Sequence, residues 1–220
     1  MTYVKASVRR PAGNPGNGIQ PKDQLVIYDV DDILSFPPRN DAGVVIEEDI
    51  VMKAGRYAIG IYLTPGTAEI SSNSDGETDA EGYTPSVKFN HPGNEQEIRE
   101  FKTNWLSKKC IVVLRYCSGK PADLIGTPCN PCKLSVSYTG SNESNTNELT
   151  FTQISKGDDI AIYRGTDTLE EPVAVVEAGA TDIDYQTDGQ YQLSAGAAKI
   201  AGVTGGSHGS VITLMAVSYT

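Results

Sequence analysis

Most of this chain carries apolar residues at every second position, and one stretch alone carries them at helical spacing. Leu134, Val136 and Tyr138 alternate with Ser135 and Ser137, and Leu149 and Phe151 alternate with Thr150 and Thr152. That period predicts two strands with one wet face, and the polar Gly, Ser and Asn residues between them predict a hairpin connection. Gln24–Tyr28, Val44–Ile50 and Asp159–Arg164 read as further strands. In Arg56–Leu63, Ala58, Gly60 and Tyr62 alternate with Ile59, Ile61 and Leu63, so both faces are small or apolar and a central strand is expected.

The exception lies within Glu81–Cys117, EGYTPSVKFNHPGNEQEIREFKTNWLSKKCIVVLRYC, which reads as strand, helix, buried strand. Pro92-Gly93 breaks the first strand. Asn94 stands where a helix N-cap belongs, and Glu97 three residues on suits a capping box. Ile98, Phe101 and Trp105 then form one apolar stripe, predicting a helix over about 95–107 laid on a sheet with that face buried. Lys108 and Lys109 would close its last turn, where cations suit the dipole. Cys110–Leu114 is wholly apolar and short, the pattern of a strand covered on both faces.

Between these elements, Thr64–Glu81 is polar and holds Pro65-Gly66, Asp75-Gly76, Glu77, Asp79 and Glu81. It reads as a long loop, loosely packed in the monomer, that orders against a neighbouring subunit. Ser118–Pro131, rich in Gly and Pro, reads as another loop. Residues 1–24 alternate Pro and Gly, excluding helix and predicting an extended N-terminal arm. Residues 25–170 form the main β domain. From Glu170-Glu171-Pro172 onward the chain turns poor in charge and rich in Gly and Ala, with strand-like Val173–Val176, Tyr191–Leu193 and Val211–Val217. Residues 171–220 are thus expected to be a small, peripheral β add-on.

With 220 residues the chain can bury a real core, and its net charge of −10 opposes passive binding to DNA or anionic membrane. No run approaches the ~20 apolar residues of a membrane-spanning helix, and no secretory signal is read at the N-terminus. Four cysteines do not make a disulfide scaffold in a chain of this length, so a reducing compartment is expected.

Candidate chemistry is sparse. Cys129 and Cys132 have zinc-knuckle spacing, but Cys110 and Cys117, seven apart on one strand, point to opposite faces and complete no four-sulfur set. His91 precedes Pro-Gly and His208 lies in a glycine turn, so neither sits in a base-and-orienter pair. Asp29, Asp31 and Asp32 resemble a calcium loop without its Gly and distal Glu, which leaves a solvated turn. No phosphate cradle is present. No catalytic, cofactor-binding or metal-binding residue is assigned.

The Glu81–Cys117 sequence, followed by KPADLIGTPCNPCKLSVSYTG and NELTFTQISKGDDIAIYRGT, resembles tail tube (major tail) proteins of long-tailed bacteriophages, of the type found in phages of Bacteroidetes hosts. The resemblance covers about residues 40–170 and lies in order and texture rather than in one motif. The final stretch, GQYQLSAGAAKIAGVTGGSHGSVITLMAV, is similar to short β modules appended to other phage structural proteins. The resemblance implies an antiparallel β-sandwich or half-barrel with one flanking helix. Six copies would form a ring whose inner strands close into one β-barrel, and stacked rings would make a DNA conduit.

The leading expectation is therefore a structural virion protein of the tail, not an enzyme, made in the host cytoplasm. Its partners would be itself, other tail proteins such as terminator, tape measure or sheath, and genomic DNA that passes without specific binding; no membrane is involved. Alternatives are a capsid decoration or head–tail connector protein, or a carbohydrate-binding β-sandwich of an adsorption device. For a conduit, carboxylates should exceed basic residues on the inward strand faces, with Glu47-Glu48-Asp49 and Glu148 as candidates.

Overall fold

The computed structural model describes residues 5–14 and 16–169 in full, and beyond them the backbone of five short strands. The chain divides into two compact units, Met1–Leu169 and Glu170–Thr220. The first contains β1 (Pro21–Asp29), β2 (Ile33–Ser35), β3 (Val45–Ile46), β4 (Val51–Met52), β5 (Ile59–Tyr62), β6 (Glu69–Asp75) and β7 (Gly82–Pro92). Then follow α1 (Gln96–Trp105), β8 (Cys110–Tyr116), β9 (Ala122–Ile125), β10 (Cys132–Gly140), β11 (Asn145–Gln153) and β12 (Ala161–Tyr163). Among the described residues the protein is mainly β with one α-helix, as expected.

The apolar run of β8 puts it at the centre. It pairs antiparallel with β1 on one side and β9 on the other, giving an array β5-β1-β8-β9-β12-β3. Both faces are covered: Leu25, Ile27, Val112 and Leu114 enter one core, and Val26, Tyr28, Ile111 and Val113 enter another. Each such aliphatic side chain stabilises by ~1.5–3 kcal/mol on burial, which is why these strands show no polar alternation. A second array, β6-β7-β11-β10, joins the first where Cys132 pairs with Cys110. It turns Val87, Phe89, Leu149, Phe151 and Leu134 onto the first core. Gly126 makes room at this corner: its φ is +93°, and an added Cβ would lie 3.2 Å from Cys132 Sγ.

The sheet departs in part from the expected antiparallel sandwich or half-barrel. β3 and β12 run parallel, so the sheet is mixed, and it does not close into a barrel within the described residues. A further correction concerns Arg56–Leu63, expected as a central strand. Only Ile59–Tyr62 is strand there, and it pairs with β1 alone, at an edge, with Gly60 against the Gln24 side chain. Val44–Ile50 shrinks likewise to two strand residues.

The helix spans Gln96–Trp105, and Ile98 is buried in the first core with Phe101 and Trp105 packed half-buried against it. Full burial of Trp105 is thus not observed: its ring stacks on Phe101 at 5.7 Å and carries Lys108 Nζ at 5.1 Å on its outer side. The expected capping box is absent, because Glu95 is the N-cap and makes no side-chain cap bond. Asn94 Oδ1 instead accepts from Lys102 Nζ at 2.9 Å. Lys102, not Lys108 or Lys109, occupies the last turn. Truncating Ile98 to Ala is expected to cost ~2–5 kcal/mol, because its side chain is enclosed in the first core. A loss below ~1 kcal/mol in urea unfolding would contradict this packing.

Two loops predicted from composition contain strands. β6 lies inside Thr64–Glu81 and pairs with β7 over seven positions; β9 lies inside Ser118–Pro131. The arm ends at Gln20, where β1 begins earlier than predicted, and its described residues are almost all exposed, Val8 at 96%.

In the second unit, β13 (Ala174–Val176), β15 (Gly189–Leu193) and β17 (Ile212–Ala216) form one parallel ladder. β14 (Asp182–Asp184) and β16 (Gly202–Thr204) form another. The chain alternates between the two parallel ladders. β14 and β16 are too short to leave a periodic signal.

Candidate functional site

The side chains that can meet a partner follow from the one-sided burial of β6-β7-β11-β10. Because side chains alternate, the residues opposite the core share one wet face. On β7 these are Thr84, Ser86, Lys88 and Asn90; on β11, Glu148, Thr150 and Thr152; on β10, Lys133, Ser135, Ser137 and Thr139. β6 adds Glu69, Ser71, Asn73 and Asp75. The register aligns them in rows, such as Glu69–Lys88–Thr150–Ser135. Two contacts confirm the alignment: Lys88 Nζ lies 3.4 Å from Glu69 Oε2, and the Ser71 and Ser86 hydroxyls are 3.0 Å apart.

This face is hydroxyl-rich and nearly neutral. Glu69, Asp75 and Glu148 stand against Lys88 and Lys133, and Lys156 reaches Asp75 at 3.3 Å. Of the acidic candidates, Glu148 lies on it, whereas Glu47-Glu48-Asp49 lies between β3 and β4. There Arg164 Nη1 reaches Glu47 Oε1 at 3.0 Å, and the Thr166 backbone N–H donates to Asp49 at 2.7 Å. Charges flanking a strand in sequence had suggested a shared face; tertiary pairing separates them.

Both edges of this array are open among the described residues. β6 pairs only with β7. β10 pairs with β11 over nine positions and meets β8 only at Cys132. Each therefore presents backbone N–H and C=O groups to a potential strand partner. The long strands are held from behind by α1: Lys102 Nζ donates to Asn147 Oδ1 at 2.6 Å and sits 5.2 Å over the Tyr138 ring. Asn147, wholly buried, donates in turn to the Gly93 carbonyl. Burial, then Arg99, lowers the Lys102 pKa.

Sequence reasoning missed one part-buried polar cluster. Asp167 accepts from the Tyr28 hydroxyl and from Arg115 Nε, while Arg115 Nη2 donates to the Gly165 carbonyl at 2.7 Å. The guanidinium lies over the Tyr163 ring at 5.5 Å. Burial, then the Asp167 bond, raises the Tyr28 pKa far above the ordinary phenol value. Burial opposes the Arg115 charge, yet Asp167 outweighs it and the net shift is upward. The one available signal was Arg115 itself, a lone cation closing the apolar run Cys110–Leu114. The cluster ties β1 and β8 to the 164–167 segment.

The remaining sequence candidates are dispersed. Asp29 caps a short 3-10 turn and pairs with Lys108; Asp32 lies 3.5 Å from Arg56. These carboxylates are matched by cations rather than gathered around one point. His91 Nδ1 lies 2.9 Å from the Tyr62 carbonyl, in a shallow groove of about 370 Å³ beside α1. His208 falls outside the described residues.

Cys129 is exposed while Cys132 is buried, so the pair does not converge. Cys110, also buried, donates weakly to the Cys132 carbonyl. Burial, then Asp29, pushes the Cys110 thiol up to about 12; burial, then Cys110, raises Cys132 as well. Alkylation of the folded protein at neutral pH should therefore add two groups, at Cys117 and Cys129, with Cys110 and Cys132 reacting only in denaturant. Rapid labelling of all four by mass spectrometry would contradict the buried pair. Compared with protein families, curated proteins and solved structures, this chain matches none.

Proposed function

We propose that this chain is a structural self-assembly protein, the ring-forming subunit of a phage tail tube. One observation carries the reading: β6-β7-β11-β10 has a polar outer face and two long open edges. The four strands are antiparallel throughout, so the edge strands β6 and β10 run in opposite directions. Copies related by rotation about an axis can then pair β10 to β6 and stay antiparallel. A cyclic ring built this way removes both edges, the liability of an open sheet. Each copy supplies about 19 Å of wall at ~4.8 Å per strand.

In this reading the wet face lines the lumen. Hydroxyls and internally paired charges hydrate well and offer few free cations to phosphate, so duplex DNA passes without being held. The work is geometric rather than catalytic. A sugar-binding surface would need exposed aromatic platforms, and the wet face holds none among the described residues.

Sedimentation velocity and negative-stain microscopy of the purified full chain test this directly. Rings or tubes are expected as concentration rises. A monomer at every concentration and salt condition would sink the reading.

A further inference from the structure

We infer that β10 of one copy pairs with β6 of the next in one register: Lys133 opposite Asp75, Ser135 opposite Asn73, Ser137 opposite Ser71 and Thr139 opposite Glu69. This rests on the ring reading and adds the contact such a ring must make. Three arguments converge on it.

The first is parity. A slip of one residue would turn the apolar side chains of one strand onto the wet face of the other, so only every second register keeps both cores dry. The second is overlap. The open part of β10, Lys133–Gly140, covers all seven residues of β6 in this register and otherwise only in the one-residue slip that parity excludes. On the inner side it sets Tyr138, 46% exposed within the single chain, opposite Ile70.

The third argument is barrel geometry, and it is independent of the other two. A row perpendicular to the strands runs Glu69, Lys88, Thr150, Ser135. In the inferred register it continues to Asn73 of the next copy, four residues further along β6. Four residues at ~3.4 Å against four strands at ~4.8 Å tilt the strands by roughly 35°, at the edge of the usual 35–45° for closed barrels. Slipping two residues one way gives roughly 20°, well outside that range; slipping the other way gives roughly 47° and loses a wet-face pair. The ring number cancels from this ratio, so the result holds for any number of copies.

The test is disulfide trapping in the full chain. Cys117 and Cys129, exposed, are first replaced by Ser. Ser71→Cys with Ser137→Cys is then assembled and mildly oxidised. Within one copy these positions lie three strand spacings and four residues apart, more than ~14 Å and too far to bridge, so every crosslink is between copies. Directly opposite residues lie within disulfide reach whichever pair type they form. A covalent ladder is expected on non-reducing gels, at least ~10-fold stronger than for Ser71→Cys with Ser135→Cys, one pair out of register. Rings that form normally but crosslink best at the shifted pair, or at neither, overturn the register and leave the ring reading standing. If the parent with Cys117 and Cys129 replaced by Ser forms no assembly at any concentration, both are overturned.

Discussion

Asp167→Ala should lose ~1–3 kcal/mol of unfolding free energy, the cost of leaving a part-buried cation without its carboxylate. The Asp167 side chain is 5% exposed and receives both Arg115 and Tyr28. Its removal leaves the guanidinium under Tyr163 with a single protein acceptor, the Gly165 carbonyl. The loss belongs to the unpaired charge and not to the attraction itself, which burial largely offsets. Arg115→Met combined with Asp167→Leu should therefore recover most of the stability, since apolar replacement of a buried pair is often neutral. Urea unfolding at constant slope separates the cases. A single-variant loss below ~1 kcal/mol would mean that the pair behaves like a surface ion pair.

The second large effect is functional. Glu148→Lys with Ser135→Lys leaves every core residue untouched, because both positions are exposed on the wet face. Folding and ring assembly should survive. If that face lines a conduit, each copy now adds two cations and loses one carboxylate. Duplex DNA should then bind assembled tubes, with log affinity falling against log salt by ~0.9 per phosphate neutralised. Genome passage should slow most at low ionic strength, where screening is weakest. Co-sedimentation of DNA with variant tubes is the measurement. Assembled variants that retain no more DNA than the parent would place the wet face elsewhere than the lumen.

The chain by itself determined the elements whose burial is extreme. Cys110–Leu114 and the Leu134–Phe151 hairpin were legible because full or one-sided burial imposes an unmistakable period on the residues. The single helix was legible for the same reason, although its cap was not: Asn94 is drawn to Lys102 by a tertiary contact that local propensity does not contain. β6 was hidden because Ser71, Ser72, Asn73 and Ser74 carry no apolar alternation; pairing with β7 makes it a strand, through backbone bonds that no side-chain pattern reports. The wet face was likewise readable strand by strand, from the alternating Ser and Thr. That its four strands lie side by side, with β6 and β10 outermost and unpaired, was decided only by the tertiary structure. Strand order and register depend on contacts between residues up to dozens of positions apart, and hydrophobic periodicity records only which way each residue faces.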